Sequence, residues 1–167
     1  THTADSTLAY TIDASAFDAA VTGVGAATSE DAVITLSDAN NKGTYTVTTG
    51  AGNDIVTMSV GTDDITTGAG NDTIKVAGGK LTSADTIAGG EANTSGVDTL
   101  SVTSDETFLD ADFTGVTGVE VLTGGTDIDI IATLGAQAME AGLTTVTLVG
   151  TTHTTDKVTV GAAFTNA

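Results

Sequence analysis

The sequence predicts an all-β fold in which the chain winds into a right-handed parallel β-solenoid, an arrangement also called a β-roll. A glycine-rich unit of nine residues repeats without interruption from Thr49 to Lys75. Hydrophobic residues make up 40% of the chain and aromatic residues only 4%, so the core must consist of small aliphatic side chains. Such a core suits narrow stacked coils, and abundant Thr with Val and Ile favours strands. Longer, less regular β coils are expected on both sides of the repeat.

The three consecutive units read TGAGNDIVT, MSVGTDDIT and TGAGNDTIK. The outer two share their first six residues and lie 18 residues apart. All three are close to the pattern G-G-x-G-x-D-x-U-x, in which U is a large aliphatic residue, and this nonapeptide is typical of calcium-binding parallel β-rolls. The repeat therefore predicts both a fold and a ligand.

Each unit divides into a six-residue turn and a three-residue strand. In the first unit, the two glycines allow a sharp backbone turn with exposed carbonyls, and Asp54 ends the turn with a carboxylate. Side chains alternate along a strand, so Val56 is the inward residue, and the inward series continues at Ile65 and Ile74. Calcium takes six to eight oxygen ligands, which backbone carbonyls supply as well as carboxylates.

The repeat frame extends in both directions with defects, which divides the chain into three segments. Residues 40–101 form the nonapeptide β-roll, residues 1–39 an N-terminal β segment, and residues 102–167 a C-terminal β segment with longer coils. At one edge of the roll, Tyr45 stands where the motif has aspartate. At the other, insertions precede Asp85 and Asp98, as solenoid turns tolerate. We read the three segments as one continuous solenoid.

The chain lacks an initiator Met and a signal peptide, so it is either a mature form or a fragment of a larger protein.

Two nonapeptides make one coil, so successive turns alternate between the two sides of the solenoid. The turns of Asp54, Asp72 and Asp98 are expected on one side, and those of Asp63 and Asp85 on the other. The best-formed site lies between residues 50–54 and 68–72. The alternative is that the glycine-rich turns belong to an ordinary β-protein, and repetition in phase with the aliphatic residue favours calcium. The predicted calcium ligands are carboxylates and turn carbonyls at Gly50, Gly52, Asp54, Gly61, Asp63, Gly68, Gly70, Asp72, Asp85 and Asp98.

The last third of the chain lacks the nonapeptide. Strands are predicted at residues 119–123, 128–132, 145–149 and 157–160, with a short helix at 136–143 that ends near Gly142. Their spacing is compatible with long solenoid coils and also with a β-sandwich. Asp127 and Asp129 would share one face of a strand, more often as a solvated face than as a cation site.

Composition excludes several classes of function. Twenty-two acidic residues against four basic ones give a net charge of −18, which argues against nucleic-acid binding and against anionic membrane surfaces. We expect no membrane insertion, because no apolar run is long enough to cross a bilayer. We also expect no enzyme, because no catalytic motif of the H-E-x-x-H or G-x-S-x-G type is present.

With these motifs in view, the chain resembles RTX-type calcium-binding β-roll proteins, and most closely bacterial S-layer and large RTX-like surface proteins. The stretches FTGVTGVEVLTGG and GAQAMEAGLTTVTLVG add a looser similarity. The resemblance implies secretion, calcium-dependent folding outside the cell, and self-association into a lattice or filament at the bacterial cell surface.

We therefore expect a calcium-stabilised structural subunit of an S-layer, surface filament or matrix. One alternative is an RTX-type adhesin module. Such a module could order water on a regular array of threonines, as ice-binding solenoids of the RTX type do. The outward series Ile55, Asp64, Thr73 is too irregular for that function. The other alternative is a calcium-binding appendage of a secreted hydrolase.

Overall fold

The computed structural model of the chain describes residues 8–13, 20–25, 31–37, 43–90, 96–149 and 155–162. Within these residues nearly every element is a short strand, as expected for coils that reverse direction at glycine-rich turns. The strands are β1 (Leu8–Asp13), β2 (Ala20–Gly25), β3 (Ala32–Ser37), β4 (Thr44–Thr48), β5 (Ile55–Thr57), β6 (Thr62–Thr66), β7 (Thr73–Val76), β8 (Thr86–Ala88), β9 (Thr99–Val102), β10 (Glu106–Phe108), β11 (Val116–Thr117), β12 (Val121–Gly124), β13 (Ile130–Leu134), β14 (Thr145–Thr147) and β15 (Lys157–Val160).

The strands stack into three parallel sheets. Sheet A has the order β1-β3-β5-β7-β9-β12-β14, sheet B the order β2-β4-β6-β8-β11, and sheet C the order β10-β13-β15. Through β8 the chain alternates strictly between sheets A and B, so each coil is one strand of each sheet. This arrangement confirms the predicted parallel β-solenoid.

The core runs as columns of aliphatic side chains along the solenoid axis. In sheet A, Val56 aligns with Ile74 at a spacing of 18 residues, as the repeat predicts. The spacing then lengthens where insertions occur, yet the register of the inward residues is kept. The inward column of sheet A is Ile34, Val56, Ile74, Leu100, Leu122 and Val146. The facing column of sheet B is Val47, Ile65, Ile87 and Val116.

The C-terminal coils widen because a third sheet opens between sheets A and B. After β9 the chain forms β10 in sheet C, then a 3₁₀ helix (Asp110–Phe113), before it returns to sheet B at β11. In the next coil the predicted short helix is present as α1 (Ala136–Glu140). Asp110 accepts the N–H groups of Gly135 and Ala138 at the start of this helix, at 2.7 and 3.0 Å. The C-terminal segment is therefore solenoid and not sandwich.

Several details of the sequence reading need correction. The strand predicted from residue 128 begins at Ile130, because Asp127 takes a positive φ of 63° in the preceding turn. Asp127 and Asp129 therefore do not share a strand face. The outward residues Ile55, Asp64 and Thr73 do not form one column, because β5 and β7 belong to sheet A and β6 to sheet B. The sequence of residues 14–20 also suggests a short helical turn, but residues 14–19 lie outside the described residues and Ala20 begins β2.

Among the described residues, no helix is long and apolar enough to cross a membrane.

Candidate metal centre

A ladder of carboxylates runs along the turns that lead from sheet B to sheet A. Each carboxylate accepts the backbone N–H of the acidic residue, or of its equivalent, one coil earlier. We call this set, Asp54, Asp72, Asp98 and Glu120, the carboxylate ladder. Its hydrogen bonds join Ala32 N to Asp54 Oδ1 at 2.7 Å, Asp54 N to Asp72 Oδ1 at 2.7 Å, Asp72 N to Asp98 Oδ1 at 2.8 Å, and Asp98 N to Glu120 Oε2 at 2.8 Å. The three aspartates thus lie on one side of the solenoid.

The two central carboxylates of the best-formed site are buried and only half satisfied. Asp54 is 0% exposed and Asp72 is 1% exposed. The Oδ2 atom of each is buried without a hydrogen-bond partner among the described residues. An ionised carboxylate in such a place is costly unless a positive charge or further donors reach it. Burial raises the pKa of Asp72, and repulsion from Asp54 and Asp31 adds to this. The Asp54 N–H and the hydroxyl of Thr67 oppose it.

Asp98, one coil further on, is also buried beside other carboxylates, and its pKa is raised for the same reasons. Burial and repulsion from the carboxylates of Asp72 and Glu120 raise the pKa of Asp98 to about 6, against the hydrogen bond from the Asp72 N–H. Among the described residues, every charged neighbour that shifts the pKa of Asp72 or Asp98 is itself acidic. The arrangement is chemically suited to a cation.

The glycine-rich turns of neighbouring coils stack directly on one another. Ala69 N donates to Gly50 O, and Gly52 N donates to Ala69 O, both at 2.9 Å. A Cβ on Gly70 would lie 1.8 Å from Gly52 O, so only glycine fits there. Positive φ occurs at Gly68 and Gly70 but not at Gly50 and Gly52, so the two turns share a sequence without sharing every torsion.

The turns on the opposite side satisfy their aspartates differently. Ser59 donates to both oxygens of Asp63, from its N–H to Oδ2 and from its hydroxyl to Oδ1, each at 2.9 Å. Gly61 N donates to the same Ser59 hydroxyl at 2.9 Å. Asp85 accepts Asp63 N on Oδ1 at 2.8 Å. Its Oδ2 accepts the N–H and hydroxyl of Thr82 at 2.8 and 3.0 Å.

Asp63 and Asp85 therefore have protein donors for their carboxylates from their own turns, whereas the Oδ2 atoms of Asp54 and Asp72 have no donor among the described residues. Burial nevertheless raises the pKa of Asp63 to about 6, against the two Ser59 hydrogen bonds, with added repulsion from Asp85 and an opposing effect of Lys80. Ser59 stands where the two outer units have glycine. This serine supplies the hydrogen bonds that satisfy both oxygens of Asp63.

A second ladder, which the sequence reading missed, runs beside the first on the outer edge of the same turns. Asp31 Oδ1 accepts Asn53 N at 2.7 Å, and Asn53 Oδ1 accepts Asn71 N at 2.8 Å. Asn71 Oδ1 then accepts Val97 N at 2.8 Å. The recurrence of asparagine at residues 53 and 71, 18 residues apart, was the available signal.

Threonine at the first position of the two outer units is also explained. Thr49 and Thr67 are buried, and their hydroxyls donate to the carbonyls of Thr67 and Gly89 at 2.6 and 2.7 Å. These residues depart from the glycine of the nonapeptide pattern. They bind neighbouring coils together through side-chain hydrogen bonds that glycine cannot make.

The residues present fit a calcium ion in part. No three His, Cys, Asp or Glu side chains converge on a single point within the described residues. An ion at the 50–72 turns would therefore draw most of its ligands from backbone carbonyls, which calcium accepts. The two unsatisfied buried oxygens of Asp54 and Asp72 are the observation in favour of such an ion.

Comparison of the chain with protein-family models, with curated proteins and with solved structures found no match.

Proposed function

We propose that the chain is a calcium-stabilised structural subunit of an extracellular assembly on a bacterial surface, such as an S-layer, filament or matrix. The observation that carries this proposal is the pair of unsatisfied, fully buried oxygens on Asp54 and Asp72. A chain with a net charge of −18 gains more than most from a bound cation, because self-repulsion weakens its compact state.

The proposed ligands are the carboxylates of Asp54 and Asp72 together with carbonyls of the glycine turns at residues 50–52 and 68–70. When bound, calcium supplies the positive charge that these carboxylates lack. Asp98 and Glu120 keep the turn column in register through their hydrogen bonds to the preceding coils. Asp63 and Asp85 remain weaker candidates, because Ser59 and Thr82 already donate to them.

Calcium that binds only the folded chain would stabilise it by about 2.7 kcal/mol at one hundred times Kd. Extracellular modules bind calcium as weakly as about 10⁻⁴–10⁻³ M. A chain of this kind would be incompletely folded at the low calcium concentration inside a cell and folded at the higher concentration outside it. This coupling suits a subunit that must be exported before it assembles.

The test is a calcium titration of chelator-treated protein, followed by far-UV circular dichroism and by particle size in the same samples. Folding together with growth into ordered particles supports the proposal. Folding without growth retains the metal site and moves the function to an adhesin module or to an appendage of a secreted hydrolase. No response in either signal overturns the proposal.

A further inference from the structure

Lys80 reaches from one coil to the preceding coil on the side of the solenoid opposite the carboxylate ladder. Two successive turns that lead from sheet A to sheet B lie on this side, at residues 58–61 and 77–85. We call them the Lys80 turns. The ammonium Nζ of Lys80 donates to the carbonyl oxygen of Met58, 22 residues earlier, at 3.1 Å. A positively charged side chain therefore joins the two turns.

This contact follows the register of the stack and satisfies a buried atom. Asp63 N donates to Asp85 Oδ1 across the same offset of 22 residues, at 2.8 Å. Met58 is 0% exposed, and a buried backbone carbonyl needs a donor. Lys80 is half-buried, as is usual for a long side chain whose stem lies on the protein surface. Its charged end makes a stronger hydrogen bond than a neutral donor would make.

The charge of Lys80 also acts on the buried carboxylate of Asp63. Burial raises the pKa of Asp63 to about 6 against the hydrogen bonds from Ser59. Repulsion from Asp85 adds to the rise, and the positive charge of Lys80 opposes it. On the ladder side, every charged neighbour that shifts the pKa of Asp72 is itself acidic. Between these two sets of turns, only the Lys80 turns receive positive charge from the described part of the chain.

The hydrogen bonds of the two sides differ in the same direction. Both carboxylate oxygens of Asp63 and of Asp85 accept hydrogen bonds from protein donors. The Oδ2 atoms of Asp54 and Asp72 have no such donor within the described residues. A buried carboxylate is costly when it is unpaired and much less so when donors and a positive charge reach it. The Lys80 turns thus have both from protein groups alone.

We propose that the ammonium group of Lys80 is a built-in cation that holds the Lys80 turns together without a metal ion. Calcium then completes only the ladder side of the solenoid. In the calcium-free chain the Lys80 turns stay ordered, and the ladder turns close beside them when calcium binds. The contrast between the two sides rests on the proposed function. The role of Lys80 does not, because Lys80 acts in the calcium-free chain.

Amide hydrogen exchange, measured by NMR on isotope-labelled full-length chain in chelator, tests this role residue by residue. Lys80→Gln removes the charge and keeps a donor, whereas Lys80→Arg keeps both. Lys157→Gln, at an exposed position of β15, is the charge-matched control. The amides of Ser59 and Asp63 report on the Lys80 turns, and the amide of Asp54 reports on the carboxylate ladder. The same samples are then measured in calcium.

In the parent protein the amides of Ser59 and Asp63 should be protected in chelator. In Lys80→Gln both should exchange at least about tenfold faster, because hydrogen bonds of charged groups are among the stronger ones and their loss favours local opening. The amide of Asp54 should exchange at the same rate in Lys80→Gln as in the parent. Lys80→Arg should stay close to the parent, and Lys157→Gln should match it.

Three results would overturn the role of Lys80. The first is a parent whose Ser59 and Asp63 amides are unprotected in chelator, because the Lys80 turns would then need a metal as well. The second is exchange in Lys80→Gln that equals the parent or rises equally at Asp54. The third is an equal loss of protection in Lys80→Arg, since the charge would then not be what holds the turns.

Failure of the proposed function gives a different result. Faster exchange of Lys80→Gln confined to the Lys80 turns, with no response of the Asp54 amide to calcium, supports the role of Lys80 and overturns the calcium site.

Discussion

The carboxylate of Asp72 accepts the backbone N–H of Asp54 from the preceding coil at 2.7 Å, through Oδ1, while its Oδ2 has no hydrogen-bond partner in the part of the chain that the structure describes. The two roles of this side chain are separable. Oδ1 holds two coils in register, and Oδ2 is the atom that a cation would satisfy. Substitutions that keep the first role and remove the second therefore distinguish an architectural carboxylate from a metal ligand.

Asp72→Asn should have opposite effects with and without calcium. Without calcium, the variant should unfold at a higher temperature than the parent, because a neutral amide costs less to bury than an unpaired carboxylate. With calcium, its affinity should fall at least about tenfold, or about 1.4 kcal/mol. Calorimetric titration and thermal unfolding measure the two effects. Asp64→Asn, at an exposed position of β6, is the charge-matched control and should change neither. Unaltered calcium affinity in Asp72→Asn would rule out Asp72 as a ligand.

The stability of the calcium-free protein should fall as the pH rises from about 4 to about 6. Burial raises the pKa of Asp63 and Asp98 from the ordinary 3.8 to about 6 in the folded chain. Their contribution to stability is present below pH 4, where both states are protonated, and is lost as the pH rises through 6. In chelator the midpoint of thermal unfolding should be higher at pH 5 than at pH 7.

Saturating calcium should reverse this order, because protons compete with the metal for the carboxylates. The measurement is a set of unfolding curves at several pH values, each in chelator and in calcium. A calcium-free midpoint that rises between pH 5 and pH 7 would contradict the expectation.

The threonine hydroxyls between coils should each make a measurable contribution. Thr67→Val keeps the side-chain shape but leaves the Gly89 carbonyl without its donor, which should cost about 1–3 kcal/mol in urea unfolding. Thr67→Ser retains the hydroxyl and should cost less. Thr66→Val, one residue earlier and exposed on sheet B, is the matched control and should stay within about 0.5 kcal/mol. Equal losses at residues 66 and 67 would show that the hydroxyl of Thr67 is not important.

Alanine should be tolerated at one positive-φ glycine and not at another. At Gly70, with φ of 140°, an added Cβ would lie 1.8 Å from Gly52 O, so neighbouring coils would have to separate. At Gly79, with φ of 70°, an added Cβ meets nothing within 4 Å. Gly79→Ala should cost only the backbone strain, about 1–2 kcal/mol. Gly70→Ala should cost clearly more or prevent folding, as circular dichroism and urea unfolding would show. Similar losses in the two variants would mean that the coils separate easily.

The regular part of the solenoid could be read from the sequence because its period is strict. Val56 and Ile74 are 18 residues apart, and this spacing gives the length of one coil. The same spacing places Asp54 and Asp72 on one side of the solenoid. The pairing of Asp63 with Asp85 on the other side follows from the same alternation.

Where the period is lost, local patterns could not decide the architecture. Nothing near Glu106–Phe108 indicates that this strand opens a third sheet, because its partner β13 lies 24 residues further on. For a similar reason, the sequence could not predict which carboxylates of the candidate site have hydrogen-bond donors on both oxygens. Whether both oxygens of an aspartate find donors depends on a serine or threonine four or three residues earlier, as at Ser59 and Thr82. The nonapeptide pattern has glycine at the first of these positions and any residue at the second.

The direction of the carboxylate ladder makes the two ends of the solenoid unequal. Every N–H in it is held by an acidic side chain from the following coil, never from the preceding one. Each turn is therefore complete only when the next coil along the chain is folded against it. Fraying from the C-terminal end removes the acceptor of the turn before it at every step, whereas fraying from the N-terminal end removes only donors. The last carboxylate of the ladder thus protects the whole series of turns that precedes it.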